Sequence, residues 1–202
     1  MATLGSLNAE IAADIVQDDL STQIDNAIIA AIRELQTEKT SFNSDISLSL
    51  STSTGSAELA LPTGFFSMTK LQLSMGGVLE TIDEVSQERI MHYRYQSRTD
   101  RPSKYAIFDS LIQFDVLASD DYNATISYYR TYDLPVSASD THTWLDNAYS
   151  LVKYKAKSIL FANSLFDWDN AAGFKALADE ELRRIKNVFN TESSSSLTLA
   201  LN

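Results

Sequence analysis

Arg101-Pro102-Ser103-Lys104-Tyr105-Ala106-Ile107-Phe108 heads the segment, residues 101–189, on which the reading of this chain turns. Pro102 biases the residue before it away from helix, so the segment opens extended. Residues 105–108 and 111–117 carry strand patterns on either side of Asp109-Ser110, a hairpin signal. Ser119-Asp120-Asp121 turns the chain again, and residues 123–132 read as a long strand with Ala124, Ile126 and Tyr128 on one face. After Leu134-Pro135 and a polar loop at 137–143, the period changes. Trp144, Leu145, Ala148, Leu151, Val152, Ala156, Ile159 and Leu160 keep helical spacing up to Phe161. Residues 163–167 break that helix, and Asp167 or Asp169 caps a last one, with Phe174, Leu177, Ala178, Leu182, Ile185, Val188 and Phe189 along one side.

Working outward, the N-terminal part is helical. Leu7, Ile11, Ile15 and Val16 recur at helical spacing, with Asn8 as cap and an end near Asp18-Asp19. A second helix follows Ser21 as N-cap, with Asp25 in its first turn and a stripe of Ile24, Ala27, Ile28, Ala31, Ile32 and Leu35. Each helix is apolar on one side only. Their matching partners lie more than a hundred residues downstream, so the two ends of the chain are expected to pack together.

Between them, residues 41–136 are β-rich. Ile46, Leu48 and Leu50 alternate with Asp45, Ser47, Ser49 and Ser51, the pattern of a half-buried strand. Leu59 and Leu61 resume it after Gly55, and Pro62-Thr63-Gly64 makes a turn. In residues 65–75 the apolar parity changes between Met68 and Leu71, which predicts a bulge near Thr69-Lys70. Gly76-Gly77 supplies the positive φ of a two-residue hairpin turn. Residues 83–95 read as one short helix with Ile82, Val85 and Ile90 facing inward and Asp83 or Ser86 as cap. About six strands are expected, in a small sandwich or barrel.

Composition narrows the function. With 202 residues the chain is long enough for a sizeable core, and without cysteine it has no disulfide, thiolate metal site or cysteine nucleophile. Sixteen basic against 27 acidic residues leave a net charge of -11, which disfavours tight binding to a phosphate backbone through an extended basic surface. No apolar run approaches a membrane span, and Met1-Ala2-Thr3-Leu4-Gly5-Ser6-Leu7 has no signal-peptide pattern, so a soluble, cytoplasmically made protein is expected.

No catalytic, cofactor or metal-binding residues stand out. The two histidines, His92 and His142, have no nucleophile elbow or carboxylate at motif spacing, and read as surface and capping residues. The acidic pairs Asp18-Asp19 and Asp120-Asp121, with Asp167 and Asp169, match no calcium loop. Tyr122, Tyr128, Tyr129 and Tyr132 read first as strand filling; a glycan- or receptor-binding β module is the alternative they leave, and a hydrolase with an unrecognised carboxylate pair is a more distant one. Arg89, Arg94, Arg98, Arg101 and Lys104 are the one local reversal of the acidic balance, either a solvated face or a contact for an acidic neighbour, including another copy of this chain. The tail from Thr191 is a serine linker followed by Leu197, Leu199 and Leu201 at period two, a docking peptide in search of a groove or sheet edge.

The helix of residues 24–35, the segment Ala57-Glu58-Leu59-Ala60-Leu61-Pro62-Thr63-Gly64-Phe65, the run Arg101-Pro102-Ser103-Lys104-Tyr105-Ala106-Ile107, the strand Thr125-Ile126-Ser127-Tyr128-Tyr129-Arg130 and the onset Trp144-Leu145-Asp146-Asn147 occur in that order. Their order and spacing, over about residues 4–190, resemble the head-to-tail adaptor proteins of tailed bacteriophages. Two departures are Asp100, where the family has a glycine, and the longer serine-rich tail. The resemblance implies a non-enzymatic virion protein. It would form a ring, usually of twelve copies, docked beneath the portal, with DNA passing through its lumen and tail or nozzle proteins attached below; another neck or tail-completion protein is the runner-up. It also implies that Leu197, Leu199 and Leu201 reach the portal.

The expected fold is therefore α+β: a four-helix-type bundle from residues 1–40 and 137–190, an inserted antiparallel β-sandwich or barrel-like domain at 41–136, and an extended, flexible C-terminal docking arm at 191–202. Arg89, Arg94, Arg98, Arg101 and Lys104 are the expected inter-subunit contacts.

Overall fold

The computed structural model describes residues 1–15, 19–94, 96 and 98–199, and within these all side chains except those of 47–49, 75 and 189–199. Helix α1 (Leu4–Ile15) begins earlier than Asn8. Thr3 and Ser6 form a reciprocal box, in which the Ser6 amide donates to Thr3 Oγ1 at 3.1 Å and the Thr3 amide to Ser6 Oγ at 2.9 Å. Asn8, inside the helix, instead donates through Nδ2 to the Ser21 carbonyl at 2.8 Å and the Asp25 carboxylate at 2.7 Å, stitching α1 to α2. Val16 and Asp18, read as the end of this helix, lie outside the described residues. Helix α2 (Ser21–Leu35) starts at Ser21 without a side-chain cap, and all six residues of its apolar stripe are buried. Each fully buried Ile or Leu contributes about 1.5–3 kcal/mol, against about 1 kcal/mol for a typical cap, so the stripe as a whole outweighs it.

Residues Ser44–Arg130 form a compact unit of their own. Its first four-stranded sheet has the order β1 (Ser44–Ser51), β10 (Asn123–Arg130), β3 (Phe65–Met75), β4 (Val78–Thr81), antiparallel throughout. A second has the order β2 (Glu58–Ala60), β8 (Leu111–Phe114), β7 (Lys104–Phe108), β5 (Asp83–Glu84). β6 (Thr99–Asp100) and β9 (Leu117–Ala118) make a small parallel pair. Leu59, Tyr105, Ile112 and Phe114 from the second sheet share one core with Leu71, Leu73, Ala124, Ile126 and Tyr128 from the first, so the unit is a sandwich.

Local chemistry sets its turns. Gly76 and Gly77 both have positive φ in the tight β3–β4 turn, and Asp109 and Ser110 do the same between β7 and β8. Lys70 pairs with Ser127 and Met68 with Tyr128, which leaves Thr69 unpaired at the expected bulge. Two expectations fail. Residues 83–95 are not one helix: Asp83 and Glu84 pair in parallel with β7, and helix α3 (Gln87–Arg94) starts only after them. Backbone pairing to a neighbouring strand outweighs a local helical pattern here. Ile46 faces solvent: it pairs with Ser127, which pairs with exposed Lys70, so it stands on the outward face of the sheet, and the irregularity between Ser47 and Leu50 changes the parity before Leu50 meets buried Ala124.

The other compact unit joins Met1–Asn43 to Thr131–Asn202. The single helix expected from Trp144 to Phe161 is two, α4 (Thr143–Asn147) and α5 (Tyr149–Leu160), broken at Ala148, whose φ of -142° leaves helical space. A π-helical turn (Phe161–Leu165) follows, then Phe166 at φ 53°, then α6 (Trp168–Leu199). Asp167 caps α6 by accepting the Asn170 amide at 3.1 Å. Leu7, Ile11, Ile28, Ile32, Trp144, Val152, Leu160 and Ala178 come from both ends of the chain into one core. The serine run read as a linker continues α6 as helix to Leu199.

Candidate functional site

The five cations of the β unit are placed in three groups. Arg94 on α3 and Arg98 line one cleft of about 150 Å³, floored by Ala57, Val116 and Leu117. Arg94 also meets Glu58 at 3.3 Å and Arg98 pairs with Asp100. Arg89 and Lys104 gather at Tyr93: Arg89 donates to its hydroxyl at 3.4 Å, and Lys104 Nζ lies 5.9 Å from its ring centroid. Arg101 turns away to Glu80 on β4. These pairs are surface pairs, of about 0–1 kcal/mol each, and exchange partners readily.

The α5–α6 turn reads in the sequence as a helix break and a cap, not as a site. Phe166 and Trp168 are 71% and 66% exposed, adjacent to Asp167 and Asp169. The π-turn and the Asp167 amide, which donates to the Phe161 carbonyl at 3.0 Å, hold Phe166 in the left-handed region. That conformation costs a non-glycine residue about 1–2 kcal/mol. On α6, Leu177 and Val188, read as core, are instead exposed, while Ala178 is buried and Leu182 and Ile185 are half-buried.

A polar layer joins α1 to α5. Lys157 is buried, bonds Asp14 at 2.5 Å and sits 5.0 Å from the centroid of Phe174. Lys153 bridges Asp14 and Glu10, and Tyr149 donates to Glu10. Hydrogen bonds from Lys153 hold the Glu10 and Asp14 carboxyls below their ordinary values, with Tyr149 and Lys157 adding to the effect. Burial, with the Glu10 contact, pushes the Tyr149 phenol up to about 12.

Near the two chain crossings to the β unit, His142 is buried and caps α4 by accepting the Trp144 amide at Nδ1, 3.1 Å away. An accepting Nδ1 assigns the proton of the neutral ring to Nε2. Burial lowers the His142 pKa, and Asp146 opposes it. Trp144 packs edge-on against Phe42, and His142 against Tyr132.

His92 is exposed on α3, and among the described residues no three His, Cys, Asp or Glu side chains cluster as metal ligands. Asp121 accepts from the Thr54 amide and hydroxyl in a turn, and Asp120 from the Asp121 amide. Tyr128 and Tyr129 are buried side chains of β10 rather than an open aromatic platform. Among the described residues no helix is long and apolar enough to cross a membrane. Of the three leucines read as a docking peptide, Leu197 and Leu199 lie on the α6 backbone, and Leu201 is outside the described residues.

No curated protein matches the chain. The family model described as SU10 adaptor protein matches residues 2–200.

Proposed function

The chain belongs to the SU10 adaptor protein family, a family of phage head-to-tail adaptors, and from that premise we propose that it is a ring-forming connector between portal and tail. The match across nearly the whole chain, both units included, is the observation that carries this reading. Twelve copies close a ring beneath the portal, extend its DNA channel and offer a platform for tail or nozzle proteins. The protein acts in the virion as a structural part and catalyses nothing. With -11 per copy, the ring presents an acidic wall that repels the phosphate backbone and lets DNA slide without sequence readout.

Helix α6 carries the portal contact in this proposal. Its 32 residues span about 48 Å. Leu197 and Leu199 in its last turns, with Leu201 following in sequence, form the portal-docking arm. Arg89, Arg94, Arg98, Arg101 and Lys104 contribute to contacts between copies in the ring.

Native mass measurement with and without purified portal rings tests the reading. The expected result is a closed multimer bound to portal; a chain that remains monomeric with portal present overturns it. Deleting residues 193–202 is expected to abolish portal docking while the helical circular dichroism falls only by the deleted turns. Undiminished docking would assign the arm another role.

A further inference from the structure

Phe166 is a bulky residue held at φ 53°, a conformation glycine adopts freely, and its ring is turned to solvent beside an equally exposed Trp168. Neither ring contributes to the core of its own unit. The π-turn accounts for the backbone conformation, but nothing in its own unit's core covers the two adjacent rings, and an exposed aromatic pair fits an external partner. The turn reads Phe166-Asp167-Trp168-Asp169, aromatic and acidic by alternation, and Asp169 has no basic partner among the described residues.

The β unit of the same sequence carries the complement. The cleft between Arg94 and Arg98 has an apolar floor of Ala57, Val116 and Leu117 and a volume of about 150 Å³. A cavity of that size accepts one benzene ring. Its walls are guanidinium groups, which stack on aromatic faces and pair with carboxylates. The resident acids Glu58 and Asp100 engage these arginines only at the surface, where an incoming carboxylate competes on equal terms.

We propose that the 166–169 turn of one copy docks into the Arg94–Arg98 cleft of a second copy, with the Phe166 ring on the apolar floor, Trp168 against a guanidinium face and Asp169 paired with arginine. The contact is heterologous, since turn and cleft are different surfaces, and so it propagates from copy to copy as a ring requires. It rests on the ring reading and names the two surfaces that make the contact.

The test uses the full chain, with and without portal rings, and reads self-association by native mass and sedimentation together with the thermal midpoint. Phe166→Gly removes the ring and relieves the positive φ, so the midpoint is expected to hold or rise while self-association weakens at least tenfold. Arg98→Glu and Asp169→Lys are each expected to weaken it similarly, and the two together to recover most of the loss. A wild type that assembles while Phe166→Gly and Arg98→Glu assemble equally well overturns this contact and leaves the ring standing. Failure of the charge-swapped pair to recover, with each single variant defective and folded, overturns the pairing. A wild type that stays monomeric overturns the ring reading and the contact with it.

Discussion

The Tyr132 hydroxyl donates to the Phe42 carbonyl at 3.1 Å, so the segment that leads into the β unit and the one that returns from it are tied side by side. Tyr132 also donates its amide to Gln36 Oε1 at 2.6 Å, and Gln36 is buried at the end of α2. The two crossings are thereby anchored to the helical unit ninety residues apart in sequence. Removing the hydroxyl by Tyr132→Phe is expected to cost about 0.5–1.5 kcal/mol and to speed amide exchange in residues 36–43. Unchanged exchange there would show that the amide bond to Gln36 and the ring packing on His142 hold the crossing without the hydroxyl.

Folding stability should depend on pH through His142. Burial places its folded pKa below the ordinary 6.5, so below that value the unfolded chain binds the proton more readily than the folded one. Stability is then full above about pH 7 and declines as pH falls through 6.5 toward the folded value. Protonation also removes the Nδ1 acceptor that caps α4. His142→Asn keeps a capping oxygen that does not titrate. Denaturant midpoints at pH 7.5 and 5.5 should converge for this variant; an undiminished difference would locate the titration elsewhere.

Asp14→Asn should strand Lys157. The lysine is only 8% exposed along its side chain, and Asp14 is its sole carboxylate partner among the described residues. A loss of about 1–3 kcal/mol is expected from the charged hydrogen bond, reduced because Asp14 itself is partly open to solvent. Urea denaturation of the variant at neutral pH measures it, and a loss below about 0.5 kcal/mol would mean that solvent already satisfies Lys157.

Two isoleucines from the chain's clearest periodic runs should behave oppositely. Ile28→Ala empties a fully buried site on α2 and is expected to cost about 2–5 kcal/mol. Ile46→Ala, on an edge strand and 59% exposed, is expected to stay within about 0.5 kcal/mol. Equal losses at the two positions would contradict the solvent-facing side of β1.

Much of this architecture is legible in the sequence. The stripe from Ile24 to Leu35, the alternation of Ala124, Ile126 and Tyr128, the Gly76-Gly77 turn and the bulge at Thr69 each follow from one local periodicity or one backbone preference. The five cations were visible as a group in sequence. Their division into a cleft, a tyrosine platform and a partner for Glu80 was not, because it depends on which strands bring Ala57, Val116 and Glu80 beside them.

The amino-acid sequence by itself determined where the period is 3.6 and where it is 2, and that the apolar faces at both ends need one another, because amphipathic stripes are local properties that demand burial. Only the tertiary structure decided which stripes are fully covered and what each break presents. Leu177 belongs to the same apolar pattern as Ala178, yet the first faces solvent and the second is buried. A helix has room for a limited number of neighbours, so an apolar stripe wider than its contact leaves residues in water, and Phe166 stands exposed where the π-turn ends at positive φ.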